Sequence, residues 1–264
     1  MNLLMDTALQ AAWEAGDVLL SKHAGPLTLT VKGERDVVTE ADFAAQRIVL
    51  DWIRRTYPDH HILAEEGVGA LNVDDDTPLW VVDPLDGTTN YTRHFPAFCV
   101  SIGLARRGQP YLGVIHDPVA GRTFLGETGL GAHLLEQSAP APMRDLRASA
   151  ITDMREAIIA LDWAHDNAVR AETVQALARI APRCRTLRAI GSAALALAWT
   201  AAGWIDGYYH PSLQPWDAAA GVAILRAAGG LALRPDGRDW QLGDSRLVAG
   251  APAIVPQLLE IIRP

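Results

Sequence analysis

The apolar positions change period along the chain, and each change marks an element. In residues 3–22, Leu9, Ala12, Trp13, Gly16 and Leu20 recur at helical spacing and predict an amphipathic helix that Gly25-Pro26 ends. Residues 27–31 alternate weakly, as a strand does. Over 40–56, Ala45, Ile48, Val49, Trp52 and Ile53 stand at i, i+3, i+4, i+7 and i+8, which predicts a second amphipathic helix. Two short apolar runs, 62–64 and 79–82, read as strands, and each runs straight into acidic residues. From Phe98 to Leu134 the pattern is a meander, with candidate strands at 99–104, 111–115 and 123–125 between Gly-rich turns.

The stretch 137–147 holds Pro140 and Pro142 and is the predicted junction between subdomains 1–142 and 143–264 of a single catalytic unit. Beyond it, predicted strands (157–161, 185–189, 206–209, 231–233) alternate with predicted helices (167–180, 191–203, 217–228, 252–262). The first half therefore reads as antiparallel sheet with helices and the second as an alternating α/β layer, a layered α+β to α/β fold. The chain shows no internal repeat, low-complexity tract or long linker. Its longest uncharged run, 189–205, is Ala-rich and interrupted by Gly191, Ser192, Thr200 and Gly203. A membrane helix needs ~20 strongly apolar residues, so this run reads as a buried helix.

Composition narrows the class. The chain has 264 residues, is 49% hydrophobic and 20% charged, and so has the make-up of an ordinary folded protein. Its net charge of -8 argues against nucleic acid or an anionic membrane as main partner. Cys99 and Cys184 are too few for a disulfide scaffold. The first twenty residues carry Asp6, Glu14 and Asp17 and lack the basic start of a signal peptide. Together these predict a cytoplasmic protein.

Four segments place acids at the ends of apolar elements. In Asp36-Val-Val-Thr39-Glu-Ala-Asp42, Thr39 and Asp42 form a capping box for the 40–56 helix, and Asp42 is also placed to polarise a hydroxyl or water. Glu65-Glu66-Gly67 follows a buried strand directly, the place where α/β sites are commonly built. In Asp83-Pro-Leu85-Asp86-Gly87-Thr88-Thr-Asn-Tyr91, two carboxylates flank a backbone carbonyl, a set of hard oxygen donors suited to Mg²⁺. Gly87 permits close backbone approach, and the Gly87 and Thr88 amides open a helix where an anion can bind. In Trp216-Asp217-Ala-Ala-Ala-Gly221, Asp217 is an N-cap whose oxygens can also turn to a metal. A cluster of Glu65, Asp83, Asp86 and Asp217 suits two Mg²⁺ about 4 Å apart, the spacing of two-metal phosphoryl sites.

Other chemistries fit less well. Neither cysteine begins a Cys-x5-Arg, and Asp74-x-Asp76 lacks the Thr of aspartyl-phosphate enzymes because Pro78 stands there. No G-x-S-x-G, H-E-x-x-H, Walker loop or dinucleotide glycine fingerprint is present. His60-His61 precedes a strand and reads as structural or solvated.

Asp83-Pro-Leu-Asp-Gly-Thr-Thr-Asn and Trp216-Asp-Ala-Ala-Ala-Gly resemble the two signatures of the inositol monophosphatase family of Mg²⁺-dependent, lithium-sensitive phosphatases. Asp36-x-Val-Thr-x-x-Asp42 and Glu65-Glu66-Gly67 are similar to its two upstream segments. The resemblance implies an αβαβα five-layer sandwich, commonly a homodimer, and hydrolysis of a small phosphate monoester such as an inositol, sugar or polyol phosphate without a covalent phosphoenzyme. It implies that Glu65, Asp83 and the Leu85 carbonyl hold one Mg²⁺, that Asp83, Asp86 and Asp217 hold a second, and that a third, weaker one sits near Glu65. It gives Thr88, paired with Asp42, the attacking water, with Glu65 beside it. The Gly87 and Thr88 amides take the phosphate, and Asp36, Thr39 and Glu66 are supporting residues. Asp86, Gly191, Ser192, Ala193, His210 and Asp217 fall at substrate-contacting positions. Inositol-preferring members usually carry glutamate where this chain has His210, which accepts hydrogen bonds less well. Relatives of this fold also act on fructose 1,6-bisphosphate, histidinol phosphate or 3'-phosphonucleotides, but the Gly-Thr-Thr-Asn-Tyr run resembles the inositol-phosphatase branch more than the nucleotide branch. A rival reading is a regulatory binding protein that keeps the fold, as some bacterial relatives are in RNA-polymerase complexes; Arg183, Arg185 and Arg188 form the one notable basic cluster, with Arg106-Arg107 elsewhere.

Overall fold

The computed structural model describes residues 2–25, 27–33, 35–71, 73, 76–136 and 143–263. Helix α1 (Leu3–His23) is capped by Asn2, whose side chain accepts from the Met5 amide. A hairpin, β1 (Leu29–Gly33) and β2 (Asp36–Thr39), leads into α2 (Glu40–Thr56). The meander then runs through β3 (His61–Ala64), β4 (Leu79–Asp86), the short helix α3 (Thr88–Thr92), β5 (Cys99–Arg106), β6 (Gln109–Asp117), β7 (Arg122–Glu127), β8 (Gly131–Glu136) and β9 (Arg144–Asp145). The rest alternates as β10 (Ile158–Leu161), α4 (Asn167–Ile180), β11 (Thr186–Arg188), α5 (Ala193–Ala201), β12 (Gly207–His210), α6 (Pro215–Ala227), β13 (Leu231–Leu233), β14 (Leu247–Gly250) and α7 (Ile254–Ile262).

Two sheets alternate with three helical layers. A seven-stranded sheet, ordered β3 to β9, is antiparallel except for the parallel pair β3–β4. A five-stranded sheet runs β11-β10-β12-β14-β13. It is mixed: β10 pairs parallel with β11 and β12, whereas β14 is antiparallel to both neighbours. Helices α1 and α2 cover the outer face of the large sheet, α5 and α6 lie between the sheets, and α4 and α7 cover the small one. The αβαβα order implied by the resemblance is therefore the order observed. One apolar core lies between the sheets, a second under α1 and α2, and a third under α4 and α7.

The middle layer sits unusually close to the large sheet. Gly103, Gly113 and Gly126 are cross-strand partners on β5, β6 and β7, so they form a row without side chains. Helix α6 lies over that row. A Cβ on Gly113 would come within 2.2 Å of the Ala220 carbonyl oxygen, and one on Gly126 within 2.8 Å of the Ile224 Cα. Together with the Ala-rich face of α6, this sets the helix that carries Asp217.

Several expectations need correction. The inward face of α1 runs through Ala8, Ala11, Ala12, Ala15 and Leu19, while Leu20 is 38% exposed. The helix packs along a broad stripe of small residues against α2 and the sheet, which leaves Leu20 outside. The strand expected at 27–31 begins at Leu29 and is exposed throughout. Helix 191–203 is shortened to α5 because Gly191 takes a left-handed φ of 74° and Ser192 caps at residue 193. Strands β2, β8, β9 and β14 are not among the expected ones. Pro140 and Pro142, in the expected subdomain junction, lie outside the described residues. Among the described residues no helix is long and apolar enough to cross a membrane.

Candidate active site

A cavity of about 760 Å³ opens where the ends of β4, β10 and β12 meet the N-termini of α3, α5 and α6. Glu65, Asp83, Leu85, Asp86 and Asp217 line its acidic side. Gly87, Thr88, Gly191, Ser192, Ala193 and His210 line the rest of the predicted set. Asp42 reaches the cavity only through Thr88. Thr39 and Glu66 stand behind the wall, and the side chain of Asp36 lies outside the described residues.

Both readings of Asp42 hold at once. Its Oδ2 accepts from the Thr39 amide at 2.8 Å and from Thr39 Oγ1 at 2.6 Å, which completes the capping box of α2. Its Oδ1 is left for Thr88 Oγ1, 3.3 Å away. Burial pushes the Asp42 carboxyl up to about 6, against the two Thr39 hydrogen bonds. Thr88 Oγ1 also lies 3.1 Å from the Leu85 carbonyl.

The central acid is Asp83, 2% exposed. Burial, and then the charges of Glu65, Asp86 and Asp217, hold it well above the usual carboxylate range. Its Oδ1 accepts from the Leu85 amide at 3.0 Å. Asp86 is anchored across the cavity: its Oδ2 accepts from Ser192 Oγ and from the Ala194 amide, both at 2.6 Å. Burial raises Asp86, and those bonds, with the nearby Gly87 amide, pull it back. A carboxylate at the N-terminus of α5 also gains from the helix dipole. Asp217 is not the N-cap that the sequence predicts; Gln214 takes that place, because Pro215 starts α6 two residues earlier. As the third residue of the helix, Asp217 accepts from the Gln214 amide on Oδ2 at 2.7 Å. Glu65 is pushed up to about 7 by burial, partly offset by Lys32 on the β1–β2 hairpin, 3.6 Å away. Lys32 lies closer still to Glu66, at 2.5 Å.

Gly87 and Asn90 of the sequence motif fix the turns, together with groups that the sequence did not mark. Gly87 has a φ of 93°, and a Cβ there would meet the Ala97 carbonyl oxygen at 2.8 Å, so only glycine serves. Asn90 Nδ2 reaches the carbonyls of Ala97 and Ile190 at 2.7 and 2.9 Å, tying α3 to the Gly191 turn. Asp162, just past β10, accepts from the amides of Ile190 and Gly191 at 2.9 and 2.8 Å. Gln46 exchanges two hydrogen bonds with the backbone of Glu66. Asp162 had a readable signal, an acid directly after an apolar run; Gln46 and Lys32 had none.

The acids suit a hard divalent cation. They are oxygen donors whose mutual repulsion raises their proton affinity, and a Glu65–Asp83 side-chain hydrogen bond relieves part of it. Among the described residues, no three His, Cys, Asp or Glu side chains stand as a ready-made ligand shell. The carboxylates therefore form an open cradle. Buried Cys99 has its thiol pushed well above the ordinary range by burial, so it supplies no thiolate.

Residues 2–263 match the family model described as the inositol monophosphatase family. The chain belongs to that family. Nus factor SuhB of Escherichia coli is 35% identical over 266 residues, which covers 100% of this chain and 97% of that protein. Among solved structures, the extragenic suppressor protein suhB from Bartonella henselae superposes with a TM-score of 0.90 at 31% identity, covering 99% of both chains. The inositol monophosphatase from Anabaena gives a TM-score of 0.84 at 35% identity, covering 98% of this chain and 94% of its own. These likenesses span both sheets. Membership of the inositol monophosphatase family makes a phosphatase the general reading of the cavity.

Proposed function

We propose that the protein hydrolyses a small phosphate monoester, an inositol monophosphate or related sugar or polyol phosphate, in a Mg²⁺-dependent reaction without a covalent phosphoenzyme. The observation that carries this is the convergence of Glu65, Asp83, Asp86 and Asp217 on one cavity whose far wall is built from helix N-termini. Glu65, Asp83, the Leu85 carbonyl, Asp86 and Asp217 are the residues that hold two Mg²⁺, with a third, weaker one near Glu65. Mg²⁺ bound there supplies positive charge to the phosphate oxygens and acidifies water.

The chain's own groups do the rest. The Gly87 and Thr88 amides receive phosphate oxygens at the start of α3. Thr88 Oγ1 takes a proton from the attacking water as it passes its own to Asp42 Oδ1, and Glu65 borders the same water. A carboxyl with a pKa near 6 is suited to that exchange at neutral pH. Thr39 fixes the orientation of Asp42; Glu66 holds Lys32, and Asp36 opens β2 next to the turn of the same hairpin. Acids from both halves of the chain meet here, so 1–264 acts as one catalytic unit. The same reading carries lithium sensitivity, a homodimer and a cytoplasmic setting, checked by Li⁺ inhibition, light scattering and fractionation. The main test is phosphate release from a monoester panel with and without Mg²⁺; no Mg²⁺-dependent release from any member rejects the proposal. The panel includes fructose 1,6-bisphosphate, histidinol phosphate and a 3'-phosphonucleotide as alternative substrates.

A regulatory role is the second reading, favoured by the Nus factor name of the Escherichia coli relative. Arg183, Arg185 and Arg188 are exposed on the α4–β11 side of the small sheet. Retention of RNA polymerase in a pull-down, unchanged by Asp83→Asn, supports that role; its absence rejects it.

A further inference from the structure

One wall of the cavity takes no part in the hydrolysis just described. It is built at the ends of the parallel strands β10 and β12. His210 closes β12 and is 6% exposed. Its Nδ1 lies 3.1 Å from the Ser212 amide nitrogen. An amide N–H only donates, so Nδ1 must carry the lone pair. Burial, with His165 nearby, pushes the imidazole down to about 4. The ring is therefore neutral at pH 7, and its one proton sits on Nε2. Among the described residues no protein acceptor meets Nε2, and the ring borders the cavity.

Two guanidinium groups line the same cavity. The Arg170 guanidinium lies 5.3 Å from the centre of the Trp163 ring, with Nη1 donating to the Ala164 carbonyl at 3.1 Å. Arg35 Nη1 donates to the His165 carbonyl at 2.9 Å. Two carboxylates border this wall: Asp166 has Oδ1 occupied by the amides of Ala168 and Val169 at the start of α4, and Asp162 accepts from the Ile190 and Gly191 amides on Oδ1 and from the Tyr208 hydroxyl on Oδ2 at 3.4 Å. The wall thus presents N–H donors and two guanidinium groups, with one oxygen of each of its carboxylates taken up by backbone amides.

We propose that this wall selects the alcohol half of the substrate: His210 Nε2–H, with Arg170 lining the same cavity, binds an oxyanion on the carbon skeleton, a carboxylate or second phosphate, in preference to a hydroxyl. This rests on the phosphatase reading. Nothing in the bond-breaking step needs the wall, so His210 is a specificity-determining residue.

Matched substrates test it. Glycerol 2-phosphate and 2-phosphoglycerate differ by one hydroxymethyl-to-carboxylate change; glucose 6-phosphate and glucose 1,6-bisphosphate form the second-phosphate arm. A charge-assisted hydrogen bond corresponds to about a tenfold preference in kcat/KM for the oxyanion member, expressed mainly in KM. His210→Gln, which keeps an N–H, retains the preference. His210→Glu, which offers only acceptors, reverses it. Indifference in the wild type to both pairs, or an unchanged ratio in His210→Glu, overturns the proposal. A preference in one arm alone assigns the oxyanion to that source. A readout independent of turnover separates this from failure of the phosphatase reading. Long-range ¹H–¹⁵N spectra should show one histidine with protonated Nε2 and bare Nδ1, absent in His210→Gln. With Mg²⁺ present, 2-phosphoglycerate should shift that signal at concentrations where glycerol 2-phosphate does not. A protonated Nδ1, or the opposite ligand order, overturns the inference even if nothing is hydrolysed.

Discussion

Asp83 shows how one residue can serve function at the expense of stability. Its carboxyl is buried among three other acids, and each raises its proton affinity. Asp83→Asn removes the charge that the cation cradle needs, so Mg²⁺-dependent phosphate release should fall by ~100-fold or more, a larger loss than for residues one shell further out. The same change removes a buried charge from its repulsion. In chelator the variant should therefore melt above the wild type, and a melting point below it would contradict the electrostatic account. His116 supplies a test away from the site. It is 1% exposed, hydrogen-bonded to Thr123 Oγ1 at 3.0 Å, and pushed down to about 4 by burial. The unfolded chain, with an ordinary pKa, binds the proton more tightly, so stability is full above pH ~6.5 and is lost as pH falls towards 4. Between about pH 7.5 and about pH 5 this costs about 2 kcal/mol. The buried acids of the site pull the total the other way, so the test is differential: in denaturant titrations the wild type should lose about 2 kcal/mol relative to His116→Gln between those pH values. Glu65 and Asp83 were legible because each follows an apolar run, and Asp86 and Asp217 because a proline stands two residues before each. Asp162 follows such a run too, but Trp163 and Ala164 give no turn signal after it. Lys32 meets Glu66 only through the folding of a separate hairpin, which no local pattern encodes.

At the scale of elements, the glycine row on β5, β6 and β7 determines where α6 can lie. Gly113→Ala forces a Cβ against the Ala220 carbonyl oxygen, backbone against backbone, with no flexible side chain to yield. Overpacking of this kind costs about 3 kcal/mol. Denaturant unfolding should show that loss, and activity should drop as well because Asp217 moves with α6. Gly129→Asn, at a turn with a φ of 84° and open space around it, should cost under about 1 kcal/mol. Equal costs at the two positions would mean that α6 is not seated by the row. The sequence could not reveal this device, since the three glycines align only once two strand registers are set. What it did reveal follows local chemistry. Helix α2 begins and ends where its capping box and period place it, and α4 coincides with its expected span. Strand β14 escaped because four apolar residues before Ala251-Pro252 look like the approach to the last helix.

For the whole molecule, the net charge of -8 has a local origin. Asp42, Glu65, Glu66, Asp83, Asp86 and Asp217 gather around one cavity, and setting them aside leaves 25 acids against 23 bases. This concentration links stability, pH and cation. Asp42 is raised to about 6, and Glu65 and Asp162 to about 7, each chiefly by burial. A carboxyl whose folded pKa lies above its unfolded value contributes stability that is present below about pH 4 and is lost as pH rises through 6 to 7. In chelator the protein should therefore melt higher at about pH 5.5 than at about pH 8. Mg²⁺ competes with protons for the cradle, so its binding tightens as pH rises. Ligand linkage adds about 2.7 kcal/mol at a hundredfold excess over Kd. The Mg²⁺-induced rise in melting temperature should accordingly be larger at the higher pH. In Asp83→Asn the rise should nearly vanish at both, while the share of the pH dependence owed to Asp162, which lies outside the cradle, persists. A Mg²⁺ effect of equal size at both pH values would show that the cation binds away from these acids.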